Sequence, residues 1–300
     1  MLENEGYITI EDGVRLFYRT VGNGPTIVIP NGMYFFDDFK RFANSRTLIF
    51  YDVCNRGLSD PVTDKSRLVT GIQQDVKDLD TVRMHFGLHQ IDLIGHSYIG
   101  LMVALYAMKY DAHVKRMVQI GPSQPDAARE YPAQLTGVDN VTAEVFSRIA
   151  QLQKEKRPDD PEEACRRFWS VLRLIYVFNP DNADKINWGR CDLPNERNFM
   201  KYWNEFIFPS IQSIHLTAEQ LLNVNAATLI IHGDRDRSAP YGGARDWAMM
   251  LPNARLLTLK NVGHAPWIEA PKTVFDAIRL FLDGDWPTTA ETLQSQESSP

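Results

Sequence analysis

Cysteine is scarce: 300 residues hold three, Cys54, Cys165 and Cys191, with no CxxC pair and no zinc-like spacing. That excludes a disulfide-scaffolded small domain and a zinc module. The odd, scattered set reads as reduced thiols. Long apolar runs are also missing. None approaches the ~18 residues a membrane-spanning helix needs, so no membrane association is expected. The first residues, Met1-Leu2-Glu3-Asn4-Glu5-Gly6, are polar and acidic and lack a signal peptide's apolar region. Together with reduced thiols, this makes a cytoplasmic protein the expectation. There is no block of basic residues, and the formal charge is -6. A nucleic-acid partner is therefore not expected. His85 and His89 are four apart, but Gly87 lies between them and no HExxH glutamate is present. That pair reads as a helix end, and neither a metal nor another cofactor is expected.

What the chain does have is core-forming material. With 44% apolar and 23% charged residues, it can bury a substantial interior. Its length suits one large α/β domain carrying an inserted lobe. The organising stretch is Ile91-Asp92-Leu93-Ile94-Gly95-His96-Ser97-Tyr98-Ile99-Gly100. Ile91, Leu93 and Ile94 form a short apolar run of strand length. Beyond Ser97, residues 101–110 have helical density and no breaker. A chain turning abruptly from strand to helix forces one residue into strained angles, with small neighbours to permit the approach. A serine there projects its hydroxyl outward, beside N–H groups at a helix N-terminus where partial positive charge gathers.

The rest of the chain alternates strands and helices. Tyr7-Ile8-Thr9-Ile10 and Val14-Arg15-Leu16-Phe17-Tyr18 flank an Asp-Gly turn and predict a hairpin. Thr26-Ile27-Val28-Ile29 predicts a buried parallel strand ending at Pro30-Asn31-Gly32-Met33-Tyr34. A short helix is expected over 35–43, a strand over 47–53, an amphipathic helix over 71–86 and a strand over 114–120. Strand signals then vanish. Segments 141–156, 161–178 and 195–208 are helical in composition, separated by Pro and Asp/Asn breaks. This predicts a helical cap over 124–222 inserted into a core formed by 1–123 and 223–283. Strands return at 227–232 and 255–259, and a helix over 271–282 closes the core. Residues 284–300, ending Gln-Ser-Gln-Glu-Ser-Ser-Pro, predict a disordered tail.

Gly95-His96-Ser97-Tyr98-Ile99-Gly100 resembles the nucleophile elbow of the α/β-hydrolase fold, usually Gly-x-Ser-x-Gly. Here the second glycine comes one residue late, and Ile99 should crowd the strand–helix contact unless something small faces it. The resemblance spans roughly residues 7–283. It implies an α/β core with a mostly parallel sheet. It also implies an acid after strand 227–232, in Gly233-Asp234-Arg235-Asp236-Arg237-Ser238-Ala239-Pro240. Asp236 fits the register, with Asp234 as the alternative. A histidine is implied after the last strand, at Gly263-His264. The order Ser97, Asp236, His264 is that of the family's catalytic triad. His96 would shape the elbow or the pocket wall, and His232 would be structural. Asn31 replaces the histidine usual after the third strand but leaves Gly32. By position, the backbone N–H groups of Met33 and Tyr98 would form the oxyanion hole.

The implied reaction is cleavage of a small ester or related acyl substrate through an acyl-enzyme. A serine at the corner argues against epoxide hydrolase or haloalkane dehalogenase chemistry, where an aspartate stands there. The long cap is similar to that of proline iminopeptidases, whose cap carboxylates hold a free α-amino group. Glu196, Glu205 and Trp203 are the corresponding substrate-binding candidates. That family's His-Gly-Gly-Pro loop is absent, so an aminopeptidase ranks below a carboxylesterase-like hydrolase. A ligand receptor of the same fold with little turnover and, behind it, a hydroxynitrile lyase stay open. The partner expected is a small-molecule substrate, with a homodimer left open.

Overall fold

The computed structural model describes residues 3–155 and 158–294. Eight strands form one sheet: β1 (Glu3–Thr9), β2 (Arg15–Gly22), β3 (Thr26–Pro30), β4 (Thr47–Tyr51), β5 (Ile91–His96), β6 (Val114–Ile120), β7 (Ala227–Gly233) and β8 (Ala254–Leu259). Their order is β1-β2-β4-β3-β5-β6-β7-β8. The first two pairings are antiparallel; every pairing from β4 onward is parallel. The unbroken apolar runs follow from helices covering both sheet faces. β5 is buried at all six positions. Its Leu93 packs on one face with Leu79, Val82 and Met102, whereas Ile94 packs on the other with Phe39, Phe275 and Ile278. Each such side chain removed from water contributes ~1.5–3 kcal/mol.

Between β6 and β7 the described chain contains helices and loops, with one isolated bridge, Asp126–His215, closing the insertion on itself. The main helices are Asn140–Lys154, Pro161–Leu172 and Pro194–Tyr202. Asp139 opens the first with a capping box against Thr142, and Pro161 and Pro194 open the others, where a missing N–H costs nothing. A π-helical turn, Trp203–Ile207, precedes Pro209. Proline cannot donate to the carbonyl four residues back and its ring crowds that carbonyl, which accounts for the widened turn.

Four expectations need correction. Cys165 and Cys191 are not free thiols but form a disulfide, with Cα atoms 5.7 Å apart; only Cys54 is free and buried. Their sequence separation of 26 carries no motif, and the pairing arises because one helix folds back on the loop before the next. The helix expected over 35–43 starts earlier: it is Gly32–Phe39 and then tightens to a 3₁₀ turn, Lys40–Asn44. The helical stretch expected through 178 stops as α-helix at Leu172, with a 3₁₀ turn Arg173–Ile175 after it. The expected tail is docked as far as residue 294. Glu291 bridges Leu256 through two 2.9 Å hydrogen bonds, and Trp286 packs on Phe281 and under Arg255. Residues 295–300, and Lys156 at the end of the expected helix, lie outside the described residues.

Candidate active site

Ser97 sits between β5 and the helix Tyr98–Lys109 at φ 58, ψ -128. A non-glycine residue tolerates that conformation only where its surroundings hold it. Here the Ser97 N–H donates to Ile120 O at 3.0 Å, and Ser97 O accepts from Ser123 N and Gly100 N. The crowding expected from Ile99 is relieved by the two glycines. A Cβ on Gly95 would lie 2.5 Å from Ile99 O, and one on Gly100 would lie 2.9 Å from Pro122 Cβ. The late glycine thus serves the contact with Pro122, and Ile99 turns into the core.

Asp236 and His264 arrive on the loops after β7 and β8. His264 Nδ1 lies 2.7 Å from Asp236 Oδ2, and both side chains are fully buried. Burial opposes ionisation of Asp236, but the imidazoles of His264 and His232 and the N–H of Ala239 outweigh it and hold the carboxyl below its usual value. Asp236 Oδ1 accepts from Ser238 N and Ala239 N, each at 2.8 Å. His264 Nε2 is buried without a partner, and no hydrogen bond joins it to Ser97. Asp234, the alternative acid, instead accepts from Asn261 N and pairs with Lys260. His96 Nε2 lies 2.9 Å from His264 O, and burial, then the nearby His264, pushes the His96 pKa well down. As a neutral donor it fixes the loop that carries His264. His232 bonds Gly233 O through Nδ1 and places Nε2 3.6 Å from Asp236 Oδ2.

Ser97, Tyr98 and His264 open into a chamber of about 410 Å³ walled by aromatic side chains including Tyr176, Trp188 and Trp203. Among its described lining residues there is no aspartate or glutamate; the charged ones are Arg56 and Arg237. Trp203, a substrate-binding candidate from the sequence, lines this wall. The two cap glutamates do not meet the expectation of a free amine ligand. Glu205 lines a separate cavity with Lys65, Lys201 and Tyr202. Glu196 is buried and saturated: it takes Arg56 Nε at 3.1 Å, Gly57 N at 2.9 Å and the Tyr34 hydroxyl. Arg56 in turn lies 3.7 Å from the Phe199 ring centroid. The oxyanion pair is also divided. Tyr98 begins the helix beside Ser97, but Met33 N donates to Asp52 Oδ1 at 2.8 Å and faces another cavity.

Sequence reading missed the Tyr34–Arg56–Glu196 cluster because Glu196 lies 140 residues beyond Arg56 with no spacing rule to join them. It also missed two clamps between the insertion and the loops after β7 and β8. Arg237 pairs with Asp139 at 2.7 Å and donates to Val177 O. Glu269 accepts from Phe178 N, Asn179 N and Gly263 N at 2.7–2.9 Å.

Comparison with known proteins agrees with this architecture. A family profile described as the alpha/beta hydrolase fold matches residues 29–271. A proline iminopeptidase of Pestalotiopsis fici is 24% identical, over 91% of this chain and 97% of the relative. A serine hydrolase structure from the polyaromatic hydrocarbon-degrading bacterium Cycloclasticus zankles superimposes with a TM-score of 0.72 at 17% identity, covering 94% and 99% of the two chains. An esterase from Exiguobacterium antarcticum gives a TM-score of 0.71 at 16% identity, covering 94% and 100%. With the profile spanning most of its length, the chain belongs to the α/β hydrolase fold family and is a hydrolase of that superfamily.

Proposed function

We propose that the protein is a serine esterase acting on a small, uncharged ester with an apolar or aromatic body. In this reading Ser97 Oγ adds to the acyl carbon while His264 Nε2 takes its proton. The carbonyl π pair becomes an oxyanion facing the Tyr98 N–H. Collapse breaks the ester C–O bond, and the alkoxide leaves with the proton from His264. Water, deprotonated by His264, then releases the acid from Ser97. Asp236 holds the imidazole's tautomer and stabilises the imidazolium. The inserted helices act as a cap that supplies the aromatic wall and keeps water out.

The observation that carries the choice of substrate is the chamber wall, with its two arginines and no described carboxylate. An ammonium group would be desolvated there with nothing to pair it. This weighs against the aminopeptidase reading, although curated relatives bear the name proline iminopeptidase. Both arginines are already paired, Arg56 with Glu196 and Arg237 with Asp139, so a neutral substrate suits the site better than a carboxylate. The cytoplasmic location expected from reduced thiols loses that support with the Cys165–Cys191 disulfide. Among the described residues, no helix is long and apolar enough to cross a membrane.

The test is a substrate panel. Short p-nitrophenyl esters should turn over while prolyl naphthylamides do not. Rapid prolyl-amide cleavage would replace the esterase reading with the aminopeptidase one. Stoichiometric ligand binding without turnover would favour a receptor.

A further inference from the structure

The loop after β3 brings an uncommitted polar side chain to the chamber. Gly32 packs towards the sheet, where a Cβ would lie 2.8 Å from Phe50 Cβ. The Met33 N–H is taken by Asp52, and Tyr34 N donates to Asn31 O at 3.1 Å. The Tyr34 hydroxyl is held by Arg56 and Glu196. The side chain of Asn31 has no such partner. Asn31 is the N-cap of the helix Gly32–Phe39, at φ 66, ψ 44, yet its side chain caps nothing. An asparagine at an N-cap ordinarily accepts a hydrogen bond from the first-turn N–H groups. Here Asp52, reaching from the end of β4, accepts the Met33 N–H in its place. Asn31 is 6% exposed, its Oδ1 is buried without a partner, and it lines the chamber with Ser97, Tyr98 and His264. A half-turn of the amide presents either its oxygen or its NH₂ to the same point. Such a group, buried and unpaired, is costly to keep, and a role in the reaction accounts for keeping it.

We propose that the Asn31 side-chain amide, together with the Tyr98 backbone N–H, holds the oxyanion formed when Ser97 attacks. It would serve as a catalytic residue in place of the backbone N–H of Met33. This rests on the esterase reading above. When the Ser97 Oγ–C bond forms, the displaced carbonyl electron pair accepts hydrogen bonds from Asn31 Nδ2 and Tyr98 N. Both are released when the carbonyl re-forms and the alkoxide departs. An amide already in place costs no reorganisation as the charge develops.

Asn31→Gly tests this without backbone strain, because glycine adopts positive φ freely. Asn31→Asp keeps the shape but sets an acceptor against the oxyanion. Wild type and both variants are assayed with p-nitrophenyl butyrate, and binding of a butyl trifluoromethyl ketone, which forms a hemiketal on Ser97, is measured alongside. Fluorophosphonate labelling of Ser97 is followed in the same samples. The expected result is a loss of ~10²–10³ in kcat for each variant, with KM changed by less than about threefold. Ketone affinity should fall in parallel, and labelling should slow. Near-normal kcat in Asn31→Gly, or a fall in kcat with unchanged ketone affinity, would overturn the assignment while leaving the esterase reading intact. A wild-type Ser97 that resists labelling would overturn both.

Discussion

Single residues settle which groups do chemistry and which only hold the fold. Asp236→Asn should lower kcat by ~10⁴, because an amide cannot enforce the imidazole tautomer. Stopped assays on a p-nitrophenyl ester would show this, and near-normal turnover would point to another acid. Glu196 behaves oppositely. Its side chain and that of Arg56 are 0% and 2% exposed. Glu196→Ala strands a buried guanidinium, so the expected loss is ~3–5 kcal/mol of stability, read by urea unfolding. A free amine ligand would instead cost activity and leave stability alone. Much at this scale was legible. Ser97, Asp236 and His264 each follow a strand end and could be placed by order along the chain. Asn31 and Arg56 could not be assigned roles, and Glu196 was placed among substrate ligands although it holds Arg56, because a hydrogen-bond partner fixes each role and sequence does not show partners. Met33 shows the limit sharply: its position suited an oxyanion donor, but Asp52 claims its N–H.

Whole elements decide how the proposed triad is held. The segment after the helix Pro161–Leu172 touches the loops that carry both Asp236 and His264. Ala265 N donates to Tyr176 O at 2.8 Å, and the Tyr176 ring stacks 5.3 Å from His264. Glu269 gathers three N–H groups from that segment and the His264 loop. Glu269→Gln turns one acceptor oxygen into a donor facing those N–H groups. Loosening the loop should lower kcat by about 10- to 100-fold, since small misplacements near a reacting centre are costly. An unchanged kcat would remove Glu269 from positioning. The disulfide acts within the insertion. Cross-linking a loop of 26 residues is worth ~3–4 kcal/mol in the chain-entropy account. Reduction should lower the Tm by several degrees, and an unchanged Tm would contradict a stabilising role. Strands and long helices were legible because apolar runs and 3.6-residue stripes survive in sequence. The disulfide and the docked residues 284–294 were not, since each depends on contacts made after folding.

For the whole molecule, burial of ionisable groups gives a pH signature. Burial lowers the pKa of His96 and of His232, so both stay neutral as the pH falls through their ordinary value of about 6.5. The unfolded chain takes up those protons. The stability they contribute is thus present above pH ~6.5 and is lost on acidification. Asp52, pushed up to about 6 by burial, works the other way: its contribution is full below the unfolded value of 3.8 and fades as the pH rises through 6. Ring-proton NMR should show His96 and His232 without protonation at pH 6; a normal titration of either would contradict their burial.

The proposed function rests on one claim above the others, that Ser97 is a nucleophile in a chamber built for neutral acyl groups. The most direct measurement is intact-protein and peptide mass spectrometry after brief exposure to p-nitrophenyl butyrate, quenched in acid, for wild type and Ser97→Ala. The expected result is a butyryl adduct on the peptide holding Ser97 in wild type, none in Ser97→Ala, and loss of steady-state turnover by ~10⁴ or more in the variant. An adduct elsewhere, or turnover that survives Ser97→Ala, would contradict it.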